Sequence, residues 1–263
     1  MKYQGRILVA TLMAGAFTSA NPLLAQVAAP PADPAPAAEA PAPGWATKVT
    51  AGFSTKSGNT ESDSYSGRIE TGKTIDNTIL AMLLEGNYAE NETTDAEGVT
   101  KDEQTEGSAK FNANVKQRFD GFYLYADELA THDSIADIKL RNVASTGVGT
   151  FLADSDAFKF SVDAGIAYVT ERALEDDDYF ALRFGERIDY KVNETVSVWE
   201  KLEVTPEASD FGNTLVAFEA GIESALTKTM AFGVTLKVDH DSEPNEGVER
   251  TDTVLGAHVA LSL

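Results

Sequence analysis

From Trp45 onward the chain is organised by a period of two, the signature of strands with one apolar and one polar face. The clearest case is 157–170, where Phe158, Phe160, Val162, Ala164, Ile166 and Tyr168 alternate with Lys159, Ser161, Asp163, Gly165 and Ala167. The next stretch repeats it, with Phe180, Leu182, Phe184, Ile188 and Tyr190 set against Ala181, Arg183, Gly185, Arg187 and Asp189, and Glu186 as the exception on the apolar side. The last sets Leu255, Ala257, Val259, Leu261 and Leu263 opposite Asp252, Gly256, His258 and Ser262. Counted this way, strands are expected at 45–56, 61–75, 77–90, 105–118, 121–132, 136–152, 157–171, 178–191, 194–205, 213–226, 229–240 and 250–262, an even dozen.

The connections add a second rhythm. Long acidic joins at 91–104, 171–178, 205–213 and 241–249 all fall on odd-numbered connections, whereas the tight joins at 119–122, 192–195 and 226–229 fall on even ones. Long loops on one rim and short turns on the other are what a transmembrane up-and-down antiparallel β-barrel shows. A soluble sandwich also alternates but does not explain this parity. Several strands exceed the roughly 9–11 residues that cross a bilayer and should project beyond it as a wall. Glu85, Glu128 and Glu219 sit among apolar neighbours and are expected on the lipid face near a rim, where a charge is tolerated.

The first 43 residues have a different character. Lys2 and Arg6 followed by the apolar run 7–17 and by Leu23-Leu24-Ala25 read as an export signal over 1–25. The stretch 26–43 is Ala/Pro-rich and reads as a semi-rigid periplasmic tether, leaving 44–263 for the barrel. If that tether starts the barrel from the periplasm, the odd connections face outward. Seven of nine prolines lie at or before Pro43; the others, Pro206 and Pro244, fall in long connections, as a ladder of paired strands requires. The net charge of −21 resides entirely after Gly44, which argues against a nucleic-acid partner. The absence of cysteine fits an exported protein stabilised by strand pairing and gives no redox function.

Candidate chemistry is sparse. Lys110, Lys116, Arg118, Lys139, Arg141, Arg183 and Arg187 alternate with apolar neighbours, so they should point inward and face acids such as Asp163 and Asp189. Such a ladder either plugs the lumen or lines a narrow anion-attracting pore, and twelve strands fall between the filled and the open barrel sizes. Glu175, Asp176, Asp177 and Asp178 offer hard oxygen ligands, as do Asp241, Glu243, Glu246 and Glu249, but without calcium-loop spacing; a solvated, repelling loop is the plainer reading, diffuse divalent-cation bridging to lipopolysaccharide the alternative, and no discrete metal site is expected. Ser57-Gly58-Asn59-Thr60 is a tight-turn sequence. His132-Asp133-Ser134 and His240-Asp241 invite hydrolase chemistry, yet adjacent strand residues point to opposite faces, so no catalytic residue, enzyme activity or cofactor is expected.

Trp45, Gly52-Phe53 followed by Ser57-Gly58-Asn59-Thr60-Glu61, Asp133 eight residues before Arg141, Gly147 and Gly149, Leu226-Thr227, and Pro244 leading to Thr251-Asp252-Thr253 together resemble the salt-induced outer-membrane proteins, domain of unknown function 481, over Trp45 to Leu263. The resemblance implies an outer-membrane barrel linked by name to growth in salt, inserted by the barrel-assembly machinery, with no catalytic residues to carry over. One departure is the final Leu263, where such barrels commonly end on an aromatic residue.

Overall fold

The computed structural model describes residues 44–57, 62–94, 100–174 and 176–263; the stretches read as export signal and tether, residues 58–61 and 95–99, and Glu175 lie outside the described residues. Twelve strands follow one another: β1 Ala46–Ser57, β2 Ser62–Ile75, β3 Thr78–Thr94, β4 Thr100–Arg118, β5 Tyr123–Asp133, β6 Ile138–Asp154, β7 Phe158–Arg172, β8 Asp177–Lys191, β9 Val196–Pro206, β10 Thr214–Ala225, β11 Met230–Asp241 and β12 Thr251–Ser262. Each pairs antiparallel with its sequence neighbours, and β1 pairs with β12, from Lys48 opposite Ser262 to Ser57 opposite Thr253, so the sheet closes into a barrel with no free edge.

Alternation is inverted relative to a soluble protein. Large apolar side chains such as Leu84, Val148, Ile166, Phe184, Ile222 and Leu255 stand exposed on the outer wall, while the residues between them face the lumen. No helix among the described residues is long and apolar enough to cross a membrane. The outward belt is therefore a lipid-facing surface: hydrocarbon offers no hydrogen bonds, and only a closed ladder satisfies every strand N–H and C=O internally.

Two expectations change. The join expected at 91–104 is mostly strand, because β3 runs to Thr94 and β4 starts at Thr100; likewise β7 and β8 continue to Arg172 and from Asp177. Pairing continues past the lipid because each added rung satisfies two backbone groups that a loop would leave to water. The extended connections that survive are 207–213 and 242–250, both on the odd-numbered rim, with Pro206 closing β9 rather than lying in the loop. At the opposite rim the β2–β3 turn is only 76–77, with Asp76 at φ 52°, a conformation Asp tolerates better than most residues.

The second correction concerns the three acids assigned to the lipid face. Glu85 is buried at 5% exposure and Glu219 also points into the lumen; only Glu128 faces outward. It lies midway along β5 rather than near a rim, beside Ala113 and Ala144 in a shallow outer depression of about 600 Å³.

The lipid-facing assignment makes a direct prediction. Ile166 is 59% exposed, so Ile166→Arg would shift a soluble sheet by only about ±0.5 kcal/mol. In this barrel it is expected to destabilise by about 2–4 kcal/mol, read from urea unfolding in phospholipid vesicles.

Candidate functional site

The lumen is crossed at mid-height by a lattice of ion pairs. On one wall, cross-strand register places Arg68 (β2) beside Glu85 (β3) and Glu85 beside Lys110 (β4). On the facing wall it places Lys201 (β9) beside Glu219 (β10) and Glu219 beside Lys237 (β11). The two rows reach each other. Arg68 donates to Glu219 at 3.1 Å and to Glu85 at 3.3 Å, with Glu70 at 2.9 Å. Lys237 donates to Glu85 at 2.5 Å. Lys110 meets Asp239 at 2.8 Å, from strands five positions apart in a ring of twelve. Small inward residues, Thr50, Ser66 and Gly256, leave room for the long side chains to span the bore. Three cations thus meet four carboxylates, as charges withdrawn from bulk water require.

A second group is pressed against the wall. Arg183 (β8) donates to Asp163 (β7) at 2.6 Å and to Glu203 (β9), and its guanidinium lies 5.0 Å above the Tyr125 ring. Tyr123 donates its hydroxyl to Asp163 at 3.0 Å. Both tyrosines (β5) lie flat because β6 carries glycine beneath them: a Cβ at Gly149 would stand 2.3 Å from the Tyr123 ring, and one at Gly147 would stand 2.8 Å from the Tyr125 ring. Trp199 lies on Gly221 in the same way and donates its indole N–H to Glu219 at 3.4 Å.

The lattice divides the bore into two chambers. The one toward the tight-turn rim, about 350 Å³, holds Trp199 and His258 beside the Lys48–Glu223 pair at 2.5 Å. The one toward the odd-numbered rim, about 210 Å³, is lined by Asp127, Thr131, Arg183 and Asp239. Glu85, Asn87 and Lys237 border both. At the outer end, Arg141 (β6) reaches Glu171 (β7) and, across the barrel, Asp241 (β11), each at 2.5 Å.

The residues singled out from sequence divide accordingly. Lys110, Arg141, Arg183 and Asp163 take part in these contacts, as described. Arg187 pairs with Asp189 two residues along its own strand, at 2.7 Å, rather than across the bore. Arg118 meets Asp154 at the tight-turn rim, and Lys116 lies 4.8 Å over the Tyr123 ring. Lys139 stands apart: the register slips between Thr131 and Asp133, Lys139 is exposed there, and it forms no ion pair among the described residues. Of the acidic run, Asp178 and Asp176 lie 2.8 and 3.7 Å from Arg172, and no metal-holding group of three or more His/Asp/Glu occurs among the described residues. His132 faces the Lys139 carbonyl while Asp133 accepts from the Ile135 and Ala136 amides, so the two do not meet. Asp241 serves Arg141 and His240 contacts Thr251. Sequence reading missed Arg68, Lys237, Asp239 and Glu203, and it placed Glu85 and Glu219 on the wrong face.

Fold and interior together define an outer-membrane-type β-barrel whose bore is bridged by charge pairs. The family model described as protein of unknown function, DUF481, matches residues 49–262. The chain belongs to that family. Among solved structures it is similar to the NanC porin, with a TM-score of 0.55 and 11% identity, covering 82% of this chain and 100% of that one. The KdgM porin (TM-score 0.48, 10% identity, 82% and 99% covered) and the translocator domain of autotransporter NalP from Neisseria meningitidis (0.47, 9%, 85% and 90%) also align. At such identity the likeness is one of fold. Curated proteins give no match.

Removing one partner from the lattice strands the other. Glu85→Gln is expected to cost about 1–3 kcal/mol, and adding Lys237→Met should recover at least half of it. A double-mutant cycle in vesicle unfolding checks this, and strict additivity would show that the two do not interact.

Proposed function

We propose that this protein is an outer-membrane barrel closed at rest, serving as a structural, envelope-adapting element rather than an open porin. The observation that carries the reading is the set of ion pairs Arg68–Glu219, Lys237–Glu85 and Lys110–Asp239, which reach across the bore between the two chambers. Export by a cleaved signal, insertion by the assembly machinery and a rim facing outward belong to the same proposal. So does contact of the acidic outer loops with cations and lipopolysaccharide. That contact is diffuse and weakens as monovalent salt screens it.

Two measurements test the reading. Refolded barrel in a planar bilayer should stay silent, whereas reproducible steps from the wild-type chain would replace it with the second reading, a narrow pore for small solutes or ions. The two polar chambers in series favour that alternative. Binding to lipopolysaccharide vesicles should require millimolar divalent cation and fall several-fold between about 0.05 and 0.5 M monovalent salt, as a screening length that shortens with ionic strength dictates. Salt-independent binding would count against a diffuse electrostatic contact.

A further inference from the structure

We propose that the connection 242–250 is a lid, folded over the outer chamber and latched to the opposite wall, which opens as a unit. Its two faces differ in kind. Pro244, Asn245 and Val248 are partly buried and line the outer chamber, with the more exposed Glu249 and Arg250 at its edge, while Glu243, Glu246 and Gly247 face solvent. An exposed loop with no task need not tuck its less polar residues beneath its acids; a roof does.

Two contacts hold the lid across the mouth. The Asn245 side-chain amide donates to the Ala136 carbonyl at 2.9 Å, in the β5–β6 turn, so the loop between β11 and β12 touches the far side of the same rim. At its base, Asp241 receives the Arg141 guanidinium from β6, five strands away around the ring. The hinge side is tied separately: Ser242 donates its hydroxyl to Gly212 and accepts from the Thr214 amide. Inside the lid, Val248 closes a turn on Asn245 and Gly247 takes a φ of +88°, which lets the tip fold without a strand. The arrangement is therefore a rigid hinge, a compact flap and a far-side latch of one hydrogen bond and one ion pair. The latch is the part that must yield for the flap to lift.

The lid guards the chamber above the lattice whether or not the barrel conducts. The chain has no cysteine, so a single Ser108→Cys places one thiol in the outer chamber, and Ser197→Cys places a control thiol in the inner one. In vesicle-reconstituted barrel with the odd-numbered rim outward, a charged, membrane-impermeant methanethiosulfonate added outside should modify the outer-chamber thiol of Ser108→Cys slowly. Arg141→Gln combined with Asn245→Ala should raise that rate at least tenfold and leave the rate at the Ser197→Cys control thiol unchanged. Heat-modifiable migration on gels verifies that each variant is folded, and Asn245→Ala alone provides a milder variant should the double one fail to assemble. Equal outer-chamber rates in latched and unlatched folded barrels, or fast modification behind an intact latch, would overturn the proposal; a rate that rises in step with loss of the latch supports it.

Discussion

Hydrocarbon accepts no hydrogen bonds, and this constraint organises the whole molecule. A strand in such surroundings must pair on both sides, so the sheet cannot end, and β1 must find β12. Once the cylinder closes, every residue is committed to lipid or lumen by its parity. The usual association of exposure with polarity is then reversed, with leucine, isoleucine and phenylalanine on the outer wall and the charges within.

The interior inherits a different problem. A twelve-stranded bore is too wide for ordinary side chains to fill and too narrow to hold bulk water around every charge. Long side chains of opposite sign resolve it by meeting in the middle, supported where they cross by small residues on β1, β2 and β12. Where the wall must instead hold a flat aromatic ring, glycine replaces the inward side chain, as at Gly147 and Gly149. A buried pair of this kind is weak evidence of stability, because desolvation offsets much of the attraction. Its more direct effect is to hold two distant walls at a fixed separation.

The fold was largely legible from residue order. Period-two alternation located all twelve strands, and the faces of 157–170 and 178–190 were assigned as the structure has them, because one lipid-facing surface imposes one simple rule. The site was legible only in part. Glu85 follows the run Ile79 to Leu84, apolar on both faces, so its parity could not be read from its neighbours; Glu219, between Phe218 and Ala220, was assigned by its surroundings instead of its phase. Lys139 follows the alternation on paper, but a slip in register that no local residue announces turns it away. Which wall an inward charge reaches depends on strand tilt and stagger, properties of the closed cylinder and not of any segment. Hence Arg183 could be assigned to the interior while its partner Glu203 went unnoticed.

Strand β11 shows how that global geometry becomes a mechanism. Its successive inward residues Lys237, Asp239 and Asp241 reach Glu85 on β3, Lys110 on β4 and Arg141 on β6 respectively. Each step of two residues climbs about 7 Å along the strand, and the partner moves from β3 to β4 to β6 as it does. One strand therefore carries both the bars across the bore and the base of the lid. The outer contact and the central lattice thus share one strand, whose position is fixed by its ladders to β10 and β12 and not by any chain of side-chain contacts.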